Sequence, residues 1–118
     1  YMKMDRYEQR EEVKANIDFE GLQRAHPYDD VESLLELMVD VLCSTSPTMR
    51  IAGDALPTEI VKERFRKLDS SHIEYIIEAM SQTTTKINNI RAYLLTALYN
   101  APVTMGPYYS AAVRHDFS

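Results

Sequence analysis

The feature that most limits the fold is a run of apolar residues at helical spacing: Val31, Leu34, Leu35, Met38, Val41 and Leu42. Returns at three and four residues define a helix with one broad buried face. Asp29-Asp30-Val31-Glu32 supplies an acidic start signal, so the helix is expected from about residue 30 to Cys43. The same spacing recurs at Ile60, Val61, Phe65 and Leu68, at Ile73, Ile76, Ile77 and Met80, and at Ile87, Ile90, Leu94, Ala97 and Leu98. Only 3 Gly and 5 Pro occur among 118 residues, too few turns for a sandwich or barrel. The expected fold class is all-α: a compact bundle of about six or seven short helices, with room for one minimal β-hairpin near residues 49–56, where Met49-Arg50-Ile51 meets Ala52-Gly53-Asp54.

The boundaries follow from the breakers. Residues 1–17 read as a peripheral, charged, solvated helix, and Phe19, Leu22 and Ala25 as a short second one that His26-Pro27 stops. Pro57 suits the first turn of the helix carrying Phe65, with Ile60 inward and Lys62, Arg64, Arg66 and Lys67 outward. Ser71-His72-Ile73-Glu74 fits a capping box, the run Ser81 to Lys86 a loop, and Asn100-Ala101-Pro102 a helix end. Tyr108, Tyr109, Ala112 and Val113 mark a final short helix. Residues 1–118 are therefore expected to form a single helical domain.

Charge and cysteine narrow the function classes. A net charge of -5 with 45% hydrophobic residues is too apolar for a disordered chain. The imbalance is local: residues 1–43 carry five bases and eleven acids, whereas residues 44–118 carry eight bases and seven acids. Phosphate is repelled by the first half, so any DNA contact must come from the second. No apolar run reaches the ~18 residues of a membrane span, no signal-peptide h-region follows Tyr1, and the lone Cys43 fits a reducing compartment. A cytoplasmic domain excised from a longer chain is the expectation.

Chemistry finds little support. His26, His72 and His115 lack metal-ligand spacing, and Gly21, Gly53 and Gly106 stand alone without a phosphate-binding loop. Cys43 reads as a small hydrophobe, Glu11 and Glu12 as solvated surface, and Asp29 and Asp30 as caps. No catalytic constellation, metal site or cofactor site is expected. Two features remain. The cations Lys62, Arg64, Arg66 and Lys67, which Lys86 and Arg91 could extend, are candidate DNA contacts, although a cluster this short is more often a solvated face. Tyr99, Tyr108 and Tyr109 are candidate partner contacts, because tyrosine offers apolar area with a polar tip and adjacent rings cannot both face one way on a helix.

The stretches Thr48 to Gly53, Glu59 to Leu68, Ser70 to Ile73, Thr84 to Pro102, the pair Tyr108-Tyr109 and the closing His115-Asp116 together resemble the C-terminal domain of replication initiator protein A, from plasmids and conjugative elements of Gram-positive bacteria. The run Ile90 to Pro102 is the most specific part. The resemblance implies a helical domain similar to the DnaD-type primosome domain, in a protein whose separate N-terminal winged helix binds origin repeats. It implies a non-enzymatic module that recruits host replication proteins, primase or a helicase loader. The short patch Lys62, Arg64, Arg66 and Lys67, opposed by the acidic first half, leads to weak non-specific DNA binding at most. Self-association or accessory DNA binding through residues 62–67 are the alternatives.

Overall fold

A computed structural model describes residues 2–117, and their side chains from Asp5 to Arg114. Six helices and one hairpin follow in order: α1 (Met2–Ile17), α2 (Phe19–Ala25), α3 (Val31–Leu42), β1 (Thr48–Ile51), β2 (Asp54–Pro57), α4 (Thr58–Arg66), α5 (Ser70–Ser81) and α6 (Ile90–Phe117). The all-α bundle with one minimal hairpin is thus the observed architecture.

Helix α3 is its axis. Asp30 caps it by accepting from the Ser33 amide at 3.0 Å and the Ser33 hydroxyl at 2.6 Å. Burial extends beyond the one broad face: Leu37 and Val39 are covered as well as the six residues of the stripe. Only Glu32, Ser33, Glu36 and Asp40 stay outside the core, and three of these are acids spaced four apart.

Helix α1 covers that acidic edge, so it is not the peripheral solvated helix its composition implies. Its Val13 and Ile17 are buried. Ahead of them Arg10 reaches Glu36 at 2.7 Å and Glu32 at 3.6 Å, and Arg6 reaches Glu36 at 2.8 Å and Asp40 at 2.9 Å. The pairing runs backwards along α1 as it runs forwards along α3, so the two helices are antiparallel. Arg6, Arg10, Val13 and Ile17 form one stripe at helical spacing, and its mixed chemistry conceals it from a purely apolar count. Between α1 and α2 the chain turns at Asp18, which is left-handed (φ 50°). A Cβ at Gly21 would meet the Asp18 carboxylate, which would have to swing aside.

The hairpin pairs Thr48 with Pro57 through Ile51 with Asp54. Its two turn residues, Ala52 (φ 54°) and Gly53 (φ 87°), both take positive φ, as a type I′ turn requires. Buried Ile51 pins it to the core.

Pro57 is the N-cap residue of α4, one position earlier than expected. Val61, Phe65 and Leu68 are buried, but Ile60 is 51% exposed. The core takes a single stripe from α4, and Ile60 lies about 100° around the helix from Val61. The capping box of α5 also shifts: Asp69 is the N-cap, accepts from the amides of Ser71 and His72, and donates its own amide to His72 Nδ1 at 3.0 Å. The expected Ser71–Glu74 pair plays no part, because an aspartate two residues earlier reaches the same amides.

The largest departure is α6. Asn100-Ala101-Pro102 does not end it, and no separate final helix exists: one helix of 28 residues passes through both Pro102 and Pro107. Asn89 caps its start, accepting from the Ala92 amide at 3.0 Å. Leu98 and Ala101 seat it in the core at 0% exposure, and Thr104 donates to the Asn100 carbonyl at 3.1 Å. Tertiary contact on both sides of Pro102 outweighs the ~3 kcal/mol helix penalty of proline. Arg91 joins the acidic edge of α3 at Asp40, 3.4 Å away.

Two measurements test this packing. Leu98→Ala is expected to cost about 2–5 kcal/mol by chemical denaturation, and Leu94→Ala less, because Leu94 is only half-buried. Equal losses would place the wrong face inward. The Arg10 and Arg6 guanidiniums hold the Glu36 carboxyl below its ordinary value near 4.5. A carboxyl whose pKa falls on folding adds stability above its unfolded pKa and loses it as pH drops through the folded value. Stability is therefore expected to fall less steeply below pH 4.5 in Glu36→Gln than in the parent chain, and identical acid limbs would show that the clasp contributes nothing.

Candidate functional site

The six cations proposed as DNA contacts do not converge on one surface. Lys62 lies 3.7 Å from Glu59, and Lys67 lies 3.4 Å from Glu63, each on its own helix. Arg64 does not point outward as α4 periodicity implies. Its guanidinium stacks 4.1 Å over the Tyr99 ring and donates to the Tyr99 carbonyl at 3.2 Å. Arg91 faces Asp40. It precedes Tyr99 by eight residues, about 12 Å along α6, so it does not extend the α4 cluster. Arg66 and Lys86 are exposed, the latter on the connection between α5 and α6. A continuous basic track is not formed by these residues.

The tyrosines are brought together instead. Tyr99 lies beneath Arg64. Tyr108 and Tyr109 both meet Tyr75 of α5 edge to face, at centroid distances of 5.2 and 6.1 Å, and meet each other at 5.3 Å. Neighbouring rings diverge on a helix, yet Tyr75 is large enough to touch both. Tyr75 donates to the Thr104 hydroxyl at 2.9 Å, and Tyr109 donates to Glu78 at 2.8 Å. Tyr109 is the more open of the adjacent pair, at 37% exposure. Partial burial, and then the Glu78 carboxylate, push its phenol up to about 12. The three candidate partner tyrosines thus serve first as internal contacts of α6.

No group of three or more His, Cys, Asp or Glu side chains among the described residues could hold a metal ion. His26 bridges two carboxylates, with Nε2 at 3.2 Å from Glu74 and Nδ1 at 3.5 Å from Asp29. His72 belongs to the α5 cap. The side chain of His115 lies outside the described residues. Cys43 is the half-buried C-cap of α3.

What sequence reasoning missed is a groove of about 490 Å³ where the start of α3, the end of α5 and the start of α6 converge. Leu34, Ile77, Met80, Ile90 and Leu94 form its walls, and Asp29, Asp30, Ser33 and Ser81 its rim. Met80 and Ile90 read as core on spacing alone. They stand at helix ends on either side of a polar connection, however, so nothing closes over them, and Ile90 is left 47% exposed. That position was the available signal. At the rim the Ser33 hydroxyl and amide hold the Asp30 carboxyl below its usual range, which keeps it ionised.

The tyrosine cluster makes an alkaline prediction. A phenol whose pKa rises on folding adds stability that is complete below its unfolded value of 10 and lost as pH climbs towards about 12. Tyr109→Phe is expected to flatten that alkaline loss in denaturation experiments run across the same interval. An unchanged alkaline limb would remove the bond to Glu78 from the account.

Comparison with curated proteins and with solved structures gives no match. A family model does match, across residues 2–118, and the chain accordingly belongs to the family of unknown function DUF6017.

Proposed function

We propose that the chain is a non-enzymatic docking module of a plasmid or mobile-element replication initiator, recruiting a host replication protein, primase or a helicase loader. The replication context rests on the resemblance of Thr48–Gly53, Glu59–Leu68 and Thr84–Pro102 to initiator C-terminal domains. The observation that carries the docking role is the open apolar groove between α3, α5 and α6. Its walls are helices anchored in the core, so a partner side chain would enter a surface that is already formed, with little ordering to offset. Among the described residues no helix is long and apolar enough to cross a membrane.

DNA is the weaker reading. Lys62, Lys67, Arg64 and Arg91 already have partners within the fold, and the chain carries a net charge of -5. The run Lys62, Arg64, Arg66 and Lys67 offers four phosphate contacts at most, each contributing a salt slope of roughly -0.9, and such binding vanishes near physiological ionic strength.

Calorimetric titration of the chain with purified host primase and, separately, with purified helicase loader tests the reading. One of the two is expected to bind, and Ile90→Arg is expected to weaken it by about 2 kcal/mol, roughly thirtyfold in Kd, without changing the melting temperature. Loss of neither interaction in the variant, or tight DNA binding at ~0.15 M salt, would sink it.

A further inference from the structure

We infer that the groove between α3, α5 and α6 takes an amphipathic protein segment whose apolar anchor is flanked by lysine or arginine. This deepens the docking reading above and rests on it. The apolar half of the requirement comes from the walls: Leu34, Ile77, Met80, Ile90 and Leu94 offer hydrocarbon and one flexible thioether, with no buried polar side chain aimed into the space. An apolar side chain is the only kind that loses nothing on entry, because a polar one would surrender its water without replacement. Met80 suits such a surface, since its unbranched side chain refits around anchors of different shape.

The charged half comes from what surrounds the opening. The residues lining the rim include the carboxylates of Asp29 and Asp30 and no cation, and Lys86, on the exposed connection between α5 and α6, is not among them. Beyond the lining itself, the helices α3 and α5 carry Glu32, Glu36 and Asp40 and, on α5, Glu74 beside His26 and Glu78 beneath the Tyr109 hydroxyl, with no lysine or arginine on either helix. Arg6, Arg10 and Arg91 answer Glu32, Glu36 and Asp40 along the polar edge of α3. Asp30 faces the Ser33 amide and hydroxyl of its own helix, and among the described residues the Asp29 carboxylate has only the His26 ring, at 3.5 Å. The third wall, α6, carries no charged residue between Arg91 and Arg114, and Arg91 is directed at Asp40. A cation on the partner beside the anchor would meet Asp29 across the rim, whereas a carboxylate there would meet like charge on two sides. Complementarity of this kind selects partners and orients them more than it adds raw affinity. A second copy of this chain has a net charge of -5 and brings more acids than bases to that rim, so it is the poorer occupant.

Two labelled helical peptides of identical apolar face, one Leu/Lys and one Leu/Glu, test the inference by fluorescence anisotropy on the full chain, with amide chemical shifts mapping the contact. The Leu/Lys peptide is expected to bind and to shift Leu34, Ile77, Met80 and Leu94, and the Leu/Glu twin to bind at least about tenfold more weakly. Ile90→Arg is expected to reduce Leu/Lys binding by at least about tenfold, and Asp29→Asn to reduce its salt dependence. Equal affinity for the two peptides would overturn the inference, as would shifts located away from the groove. A concentration-dependent dimer that Ile90→Arg dissolves would assign the groove to a second copy and overturn it too. The outcomes separate from the docking reading itself. Primase or loader binding that depends on Ile90 while the Leu/Lys peptide fails would keep that reading and sink the charge assignment. Leu/Lys binding in the groove with neither host protein bound would support the assignment and sink the replication role.

Discussion

A helix buried on nearly every side cannot carry three carboxylates unless something answers them, and α3 meets that condition with guanidiniums from two other helices. Glu32, Glu36 and Asp40 occupy its one polar edge, with Arg6 and Arg10 arriving from α1 and Arg91 from α6. Singly, such half-exposed pairs contribute little. Collectively they decide direction and register. With α1 antiparallel to α3, Val13 and Ile17 fall into the core. The acidity of the first 43 residues is therefore structural in part, an edge made to be gripped rather than a surface made to repel.

Where one kind of residue repeats at helical spacing, the fold was legible in the sequence. The extent of α3, the stop after Ala25 and the hairpin at Ala52-Gly53 all rest on local chemistry that neighbours did not override. The errors share a cause, which is that tertiary contact outranks local preference. Helix α1 carries a stripe half cationic and half apolar, visible only once its acidic counterpart is known. Ile60 has the right hydrophobicity, but the core has room for one stripe of α4 and Val61, Phe65 and Leu68 fill it. Pro102 is a sound stop signal in isolation, yet Leu98 and Ala101 before it and Tyr108 after it are all held by other elements.

The candidate sites show the same limit. Arg64 and Tyr99 were legible as a cation and an aromatic, each credited with an external partner, and the fold stacks them on each other. The groove was illegible for the opposite reason. Met80 and Ile90 carry every mark of core residues, and only the positions of helix ends in space reveal that no fourth wall arrives. Periodicity tells which residues avoid water; it does not tell whether the fold has a surface left to give them.

The two prolines of α6 have a mechanical consequence. Each removes an amide from the helical ladder, so the carbonyls of Leu98 and Val103 lose their ordinary backbone donors, and the ladder is unbroken only as far as Ala101. Past that point the helix lacks two rungs within six residues and relies on lateral support. Helix α5 provides it as a splint: Tyr75 reaches Thr104, Tyr108 and Tyr109, and Glu78 takes the Tyr109 hydroxyl, all on the weakened side of Pro102. Stiffness in the second half of α6 is thus borrowed across an interface instead of being stored in its own backbone.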